Sequence, residues 1–523
     1  MELRFPMRGV ERRGSLRSTP DDRGAWPAVW AANVRTEDNL DRRLRGGSRQ
    51  GLTKYTATDQ GGTISDIASI NLSSATGESE LLFVLVDSTI NTVTGGTTTV
   101  GPVATLVDSA GDTIQDVSLN DIVVGDLTAP ASGFLVTGQQ EVYAVGTASI
   151  VWMDPKTGQT STLKASAGTI PLNCTFGAIY RDRLCLSGDD NAIYMSKQGD
   201  YTNWDFGAYF EDPGRAVAFQ LSLSSDVGPL PTAMIPCKDS YMICGSARTL
   251  WVVNGDPTTG ELKRISEHIG IIGSRAWCKF DETIIFLSEE GLFMIGANGS
   301  GLTPLTPESV PDELRAVNLS TKTVSLGWDQ DRKAVHIYVR TTAAAVLTDT
   351  HWIYEIGAKA FWPMHIPNAH SPIVVAQHAG ELLLAGEDGY IRKVSGDDDD
   401  GTSIESHVAI GPLRLGSANH FGRILNMHAS LASGGGTVTW RVVTGDTAED
   451  AADNVKLAIE AFQAGNSYAT YVKATGTWTS GRAIMSYPRV RSIWICLWLE
   501  STAKWAYEGV VLESIPSGKW RGT

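Results

Sequence analysis

Val142-Tyr-Ala-Val-Gly-Thr-Ala-Ser-Ile150-Val-Trp152 is one statement of a phrase that recurs along the chain: an apolar run, a turn of Gly, Asp, Asn or charged residues, and a second apolar run. It returns as Leu184-Cys-Leu-Ser-Gly-Asp-Asp-Asn-Ala-Ile193-Tyr-Met195 and as Tyr241-Met-Ile-Cys-Gly-Ser-Ala-Arg-Thr-Leu250-Trp-Val252. Further copies are Ile284-Ile-Phe-Leu-Ser-Glu-Glu-Gly-Leu292-Phe-Met294 and Leu382-Leu-Leu-Ala-Gly-Glu-Asp-Gly-Tyr390-Ile-Arg392. A hairpin built this way cannot bury both of its faces alone, so it must stack on copies of itself. The starts at 142, 184, 241, 284 and 382 are separated by 42, 57, 43 and 98 residues. The widest gap holds a looser unit, Val335-His-Ile-Tyr338 with Trp352-Ile-Tyr354, and an earlier candidate lies at Leu82–Val86 with Thr89–Val93. A period of roughly 40 to 60 residues with about four strands per unit predicts an all-β chain folded as a β-propeller of six or seven blades. A solenoid is the rival, but its repeats are usually shorter and more alike.

Composition agrees. Hydrophobic residues make up 42% and charged residues 19% of the 523, which is ordinary for a globular chain with a sizeable core, and the 54 Gly suit many short strands joined by tight turns. The six cysteines form no C-x-x-C pair and several sit inside apolar strand phrases, so they read as core residues of a chain folded in a reducing cytoplasm. No secretory h-region follows Met1 and no run of about 18 apolar residues occurs, so neither secretion nor a membrane-spanning segment is expected.

Charge is unevenly placed. Residues 1–50 hold eleven Arg against seven Asp or Glu, a balance of +4, so the rest of a −15 chain carries −19. The densest stretch is Asn33-Val-Arg35 followed by Arg42-Arg-Leu-Arg-Gly46-Gly-Ser-Arg-Gln-Gly51. Its glycines break any helix, and their spacing is wrong for a phosphate-binding P-loop. Arg35, Arg42, Arg43, Arg45 and Arg49 are therefore read as an extended set that docks on an acidic neighbour, while the acidic body avoids clinging to nucleic acid.

The chain divides into an Arg-rich N-terminal docking arm (1–55), a propeller (56–395) with an expanded loop near 95–132, an acidic linker (396–401) and a C-terminal β-sandwich-like platform domain (402–523). In that last part, long alternating strands such as Thr437–Val443 and Ser492–Leu499 flank one helix. Asp446 or Thr447 can cap it, with Glu449 completing a capping box; Val455, Ile459 and Phe462 form its apolar stripe, and Gly465 ends it. A short helix is also expected at Pro311-Asp-Glu-Leu314. Trp152, Trp204, Trp251, Trp277 and Trp328 are read as blade packing, since strand aromatics are core far more often than ligand platforms.

Catalytic patterns are weak. His365, His370 and His378 have neither zincin nor structural-zinc spacing, and the tetra-Asp run fails the EF-hand pattern at Thr402 and Val408. There is no G-x-S-x-G elbow. Asp189-Asp190 and Glu289-Glu290 fall in hairpin turns, where such residues serve the backbone. Asp154-Pro-Lys-Thr-Gly158 is similar to one blade of a quinoprotein-like propeller, but it occurs once. No catalytic residue, metal or cofactor is expected.

Arg45-Gly-Gly-Ser-Arg49, Tyr201-Thr-Asn-Trp204-Asp-Phe-Gly207 and the run from Ile269 through Trp277 to Glu290-Gly-Leu resemble the tail nozzle, or tail tubular B, proteins of short-tailed bacteriophages. The resemblance covers roughly residues 30 to 320 and rests on phrases, not on a catalytic motif. Gln50 departs from it, the family usually having Pro there. It implies a non-enzymatic structural subunit with a propeller, assembled in the host cytoplasm into the virion tail. Six copies would form a homo-hexameric tube below the tail adaptor ring, with fibres or spikes attached nearby and double-stranded DNA passing without sequence-specific binding. The lumen residues are unknown, and a receptor-binding or carbohydrate-acting tail propeller is the alternative.

Overall fold

Each repeated phrase forms the second and third strands of one antiparallel sheet. In the computed structural model these sheets number seven, and they stand around a common axis. The structure describes the chain except for residues 11–25, 27, 75–76, 88, 95–96, 101–132, 157–159, 189, 208–210, 223–227, 297–298, 300, 306–310, 316, 320, 342–349, 418–419, 482 and 520–523. The first strands, Ile64–Ser74, Phe134–Gly138, Cys174–Tyr180, Pro231–Cys237, Trp277–Phe280, Lys322–Asp329 and Pro372–His378, lie innermost. The ring is thus a seven-bladed β-propeller. The candidate at Leu82–Val86 belongs to the first blade and the looser unit at Val335–Tyr338 to the sixth. Of the expanded loop expected near 95–132, Thr97–Val100 is the fourth strand of the first blade, and 101–132 lie outside the described residues.

Six blades are four-stranded and continuous in sequence, but the seventh is not. Its fourth strand is Leu52–Lys54, which comes from before the first blade and pairs antiparallel with Ile391–Val394. Both ends of the propeller chain are therefore held in one sheet. The expected linker at 396–401 is corrected by the same sheet: Asp398–Asp399 pairs with Thr402–Ser403 and, in parallel, with Leu52. The aspartates do not repel one another into solvent because each has a cationic or backbone partner, as detailed below.

The platform is a three-layer stack. Its central sheet orders Ala28–Ala32, Ser406–Arg414, Trp494–Ser501, Val438–Gly445 and Val472–Trp478. An outer sheet orders Glu2–Leu3, Tyr507–Lys519, His420–Leu431 and Ala483–Ser486, with Arg491–Ser492 at its side. Ile424, Met427, Val510 and Leu512 of the outer sheet meet Ile410, Val442, Leu497 and Leu499 of the central one in a dry core. On the other face of the central sheet, Ala409, Val443, Cys496 and Trp498 receive the second helix, α2 (Ala448–Gln463), through Ala452, Val455 and Ile459. The first, α1, is the single turn Asp312–Arg315 that follows Pro311.

The boundary at residue 55 is corrected by this stack. Glu2–Leu3 and Ala28–Ala32 are platform strands, and Val34–Glu37 pairs with Leu44–Ser48 as a hairpin between the platform and the sixth blade. The described residues of this stretch are thus integral to both halves of the molecule. α2 is capped by Thr447, whose side chain accepts the Asp450 amide while the Asp450 carboxylate accepts the Thr447 amide. The box partner is Asp450, not Glu449, because the cap is Thr447 and the third helical position moves with it. Gly465, at φ 70°, follows the last turn as expected.

Candidate functional site: the arginine junction and the axial cavity

Arg49 is buried, and each of its donors has an acceptor. Nε donates to Asn33 Oδ1 at 2.9 Å, Nη1 to Gln50 O at 2.7 Å and to Asp399 Oδ1 at 2.8 Å, and Nη2 to His365 O at 2.9 Å and to Asp399 Oδ2 at 2.5 Å. A planar fork facing a carboxylate is the geometry that arginine makes and lysine does not. The pair ties the arm, the sixth blade and the Asp run together.

Arg35 is also buried. Its Nε donates to Glu355 Oε1 at 3.0 Å, and its Nη1 lies 4.0 Å from Asp329 Oδ2. Burial alone would raise the Asp329 carboxyl, but His336, Arg35 and the Arg332 amide outweigh it and hold it at about 2. His336 is fully enclosed, its Nε2 3.4 Å from Asp329, and burial pushes its pKa below the usual imidazole value. Arg332 reaches back from the same blade to Glu37 and, at 3.3 Å, to the carbonyl of Asp38.

The turn 38–43 is built on one carboxylate. Asp38 accepts the amides of Leu40, Asp41 and Arg43 at 2.7, 2.8 and 3.0 Å, and Arg45 Nε at 2.9 Å. Burial works against its charge, yet these donors keep its pKa below the ordinary value. Arg45 continues to Asp41 and Glu508.

Of the five arginines read as a docking set, Arg35 and Arg49 are therefore corrected: they are spent inside the chain. Arg45 is mostly covered, Arg42 pairs with Asp331 at the surface, and Arg43 stays exposed, 3.8 Å from Asp41. The acidic partners of Arg35 and Arg49 come from the sixth blade and the Asp run. Those partners, Asp329, Glu355 and Asp399, carried no local signal, because they lie about 300 residues away in sequence. The run itself was the available hint: Asp400 and Asp388 share Arg392, and Asp397 pairs with Lys504 at 2.7 Å.

The phrases at 201–207 and 269–277 are also architectural. Asn203–Trp204 pairs in parallel with Ala167–Gly168, and the buried Trp204 donates Nε1 to Tyr201 O at 2.9 Å between the second and third blades. Arg183, also fully buried, donates to the carbonyls of Ser196 and Pro213 at 2.9 and 2.8 Å, which fixes the Asp212-Pro-Gly-Arg215 turn. The Ile271 amide donates to Ser246 O at 2.8 Å and that of Leu287 to Ala276 O at 2.9 Å, so this run stitches the fourth blade to the fifth. Trp251 packs between the third and fourth blades, and Trp328 lies 4.4 Å from the ring of Phe280. Trp152 is half-buried against the second and third blades. Trp277 is half-buried against the core shared by the fourth, fifth and sixth blades, also borders the axial cavity, and donates to Ser274 O at 2.8 Å.

Around the axis lies a cavity of about 440 Å³ lined by the first strand of every blade. Asp66 is the one carboxylate among its lining residues, and it is tied down. Arg275, from the start of the fifth blade, lies 2.8 Å from Asp66 Oδ2 in the first blade, and the Leu135 amide donates to the same oxygen at 2.6 Å. Among the described lining residues Asp66 therefore has no second carboxylate beside it. Among the described residues no group of three or more His, Cys, Asp or Glu side chains could hold a metal, and no helix is long and apolar enough to cross a membrane. All six cysteines are free thiols, five of them buried.

No protein-family model matches the chain, and no curated protein does. Solved structures with a similar fold include YCF48 from Cyanidioschyzon merolae, 12% identical, with 66% of this chain and 99% of that one covered and a TM-score of 0.40. Virginiamycin B lyase from Staphylococcus aureus is 12% identical, with coverages of 66% and 98% and a TM-score of 0.37. The extracellular domain of the two-component-system protein BT4673 from B. thetaiotaomicron is 12% identical, with a TM-score of 0.44; 73% of this chain matches, spanning 43% of that domain.

Proposed function

We propose that this chain is a structural subunit of a phage tail nozzle, a copy in a six-fold tube below the adaptor ring through which genomic DNA leaves. The observation that carries the reading is where the family-like phrases sit. Arg45–Arg49 binds the arm to the sixth blade and the Asp run, and Tyr201–Gly207 and the run from Ile269 to Trp277 bind blade to blade. Residues used in this way serve a scaffold. Of the alternative, a receptor-binding or carbohydrate-acting propeller, the carbohydrate-acting form is supported less well, because Asp66, bridged to Arg275, is the one carboxylate among the described residues lining the axial cavity.

The propeller axis is not the DNA path in this reading. Its cavity is small and is crossed by the Arg275–Asp66 bridge, so duplex DNA passes between copies. Adaptor, fibres and virion location follow from the resemblance.

Electron microscopy of the purified chain, alone and mixed with adaptor-bearing particles, is the test. Six-fold rings with an axial hole, wide enough for duplex and bounded by several propellers, are expected. Isolated discs in both samples would overturn the reading.

A further inference from the structure

The platform has two uncovered sides that look away from each other. On the outer sheet, side chains alternate inward and outward, and the outward set does not look like an ordinary solvent face. One cross-strand row runs Met485, His428, Val511, Glu2 and another runs Arg491, Arg423, Ile515. Five large apolar side chains stand out from this sheet and its edge: Leu425 38%, Met485 45%, Tyr487 62%, Val511 43% and Ile515 44% exposed. Single exposed apolar residues need no explanation, but a cluster on one face does.

The arginines sharpen the point. Arg423 and Arg491 are direct cross-strand partners, and like charges placed opposite one another destabilise a sheet. Among the described residues neither is in an ion pair; Arg491 stacks on Phe421, 4.4 Å from the ring centroid. Arg489 is exposed next to them. Acids on this face lie toward other neighbours, Glu513 accepting from Asn426 at 2.8 Å and Glu2 pairing with Arg4 at 3.4 Å.

The opposite side of the stack is the exposed face of α2, and its character is reversed. Glu449, Asp453 and Glu460 are exposed, beside Asp450 of the cap, against the single cation Lys456, which lies 3.8 Å from Asp453, and Leu457 stands among them 45% exposed. Asp453, Leu457 and Glu460 are spaced to share one stripe. An apolar side chain ringed by carboxylates on one side matches apolar side chains beside unpaired arginines on the other.

We infer that α2 of one copy docks on the outer sheet of the next, with Leu457 against the apolar row and Asp453 and Glu460 meeting Arg423 and Arg491. The two faces lie on opposite sides of the central sheet, so the contact is head-to-tail. A head-to-tail contact propagates around a ring when its rotation closes and into an open filament when it does not. The inference deepens the nozzle reading, since it names the surfaces through which copies assemble.

The test uses the whole chain in sedimentation velocity over a range of concentration and salt. Wild-type mass is expected to rise with concentration and to fall back as salt screens the charged rim. R423E/R491E and D453K/E460K, each checked for native circular dichroism, are expected to weaken assembly by roughly tenfold or more. All four substitutions in one chain should restore it, since the charges then match again with signs exchanged. A charge-reversed sheet face that assembles like wild type overturns the inference, and so does a wild-type chain that is monomeric at every concentration and salt. If the arginine substitutions change only the binding of a short duplex DNA, the face is a nucleic-acid site and the inference also fails. Electron microscopy separates it from the nozzle reading. Rings formed equally by wild type and R423E/R491E sink this contact alone, while open filaments dependent on it sink the ring and keep the contact.

Discussion

Arg49 joins the arm, the end of the sixth blade and the Asp run through one buried guanidinium. With five acceptors around it and Asp399 buried opposite, removing the guanidinium strands a carboxylate away from water. Breaking one partner of a buried pair typically costs about 3 to 5 kcal/mol. Arg49→Met is expected to lower stability by about that much, and Arg49→Lys to recover little, because an ammonium cannot span both carboxylate oxygens. Denaturant titration of the three proteins decides it, and a lysine variant as stable as wild type would show that charge alone suffices. The Asp329–His336–Arg35 group makes a second prediction, on pH. Asp329 sits at about 2 against an ordinary 3.8, so its contribution, on the order of 2 kcal/mol, is present above pH 3.8 and is lost as pH falls through about 2. His336 is shifted downward from 6.5 by burial, so below pH 6.5 the unfolded chain binds the proton that the folded one refuses. Both signs agree, and stability falls on acidification. Thermal melts from pH 7 to 3 should show that decline, with a flatter slope between about pH 6.5 and 5 in His336→Gln; identical slopes would remove His336 from the account.

At the scale of elements, the closing strand Leu52–Lys54 does what covalent closure cannot. The seventh blade lacks a fourth strand of its own and takes one from the start of the chain, so the ring holds only while this pairing does. Leu52 is buried, and Gly51 leaves no room for a side chain, since a Cβ there would sit 1.8 Å from the Asp398 carbonyl oxygen. Leu52→Ala is expected to cost about 2 to 5 kcal/mol and to localise the damage. Hydrogen exchange should rise at Ile391–Val394 before it rises in the third or fourth blade, and a uniform increase would count against the closing role. Sequence alone does not reveal this strand. The second and third strands of each blade are legible because both their faces are apolar and their turns are marked. The pairing of residue 53 with residue 393 leaves no periodicity to read. Several inner hairpins are equally silent: Gln139-Gln140 and Arg181-Asp182 take positive φ at both positions without the Asn or Gly that advertises such a turn. The helix cap shows the finer limit, with Thr447 and Asp450 selected over Asp446 and Glu449 by a one-residue shift that both readings satisfy in pattern. The arginine cluster was legible as charge but not as structure, since burial depends on the distant carboxylates that meet it.

For the molecule as a whole, that last point alters how its charge is understood. The eleven arginines of the first 50 residues suggest a basic arm on an acidic body, and truncating the arm would seem the natural way to test the body's affinity for DNA. The structure rules that truncation out as a fair test, because the same residues supply two platform strands and a hairpin that pairs with the sixth blade through Arg35 and Glu355. The intact chain is the right probe. Its net charge is −15, Arg35 and Arg49 are internally compensated, and the exposed Arg423, Arg489 and Arg491 sit on a chain that as a whole repels a polyanion, so net repulsion works against displacing counterions from phosphate. Non-specific DNA-binding proteins reach dissociation constants of about 10⁻⁴ to 10⁻⁶ M at physiological salt through many such displacements. The intact chain is expected to bind a short duplex more weakly than that range, with an affinity that barely changes as salt is lowered. Fluorescence anisotropy of a labelled duplex over a salt series measures both quantities. A steep slope of log affinity against log salt would mean that several unpaired cations reach the phosphates together, and a surface of that kind would hold a genome back instead of letting it slide past.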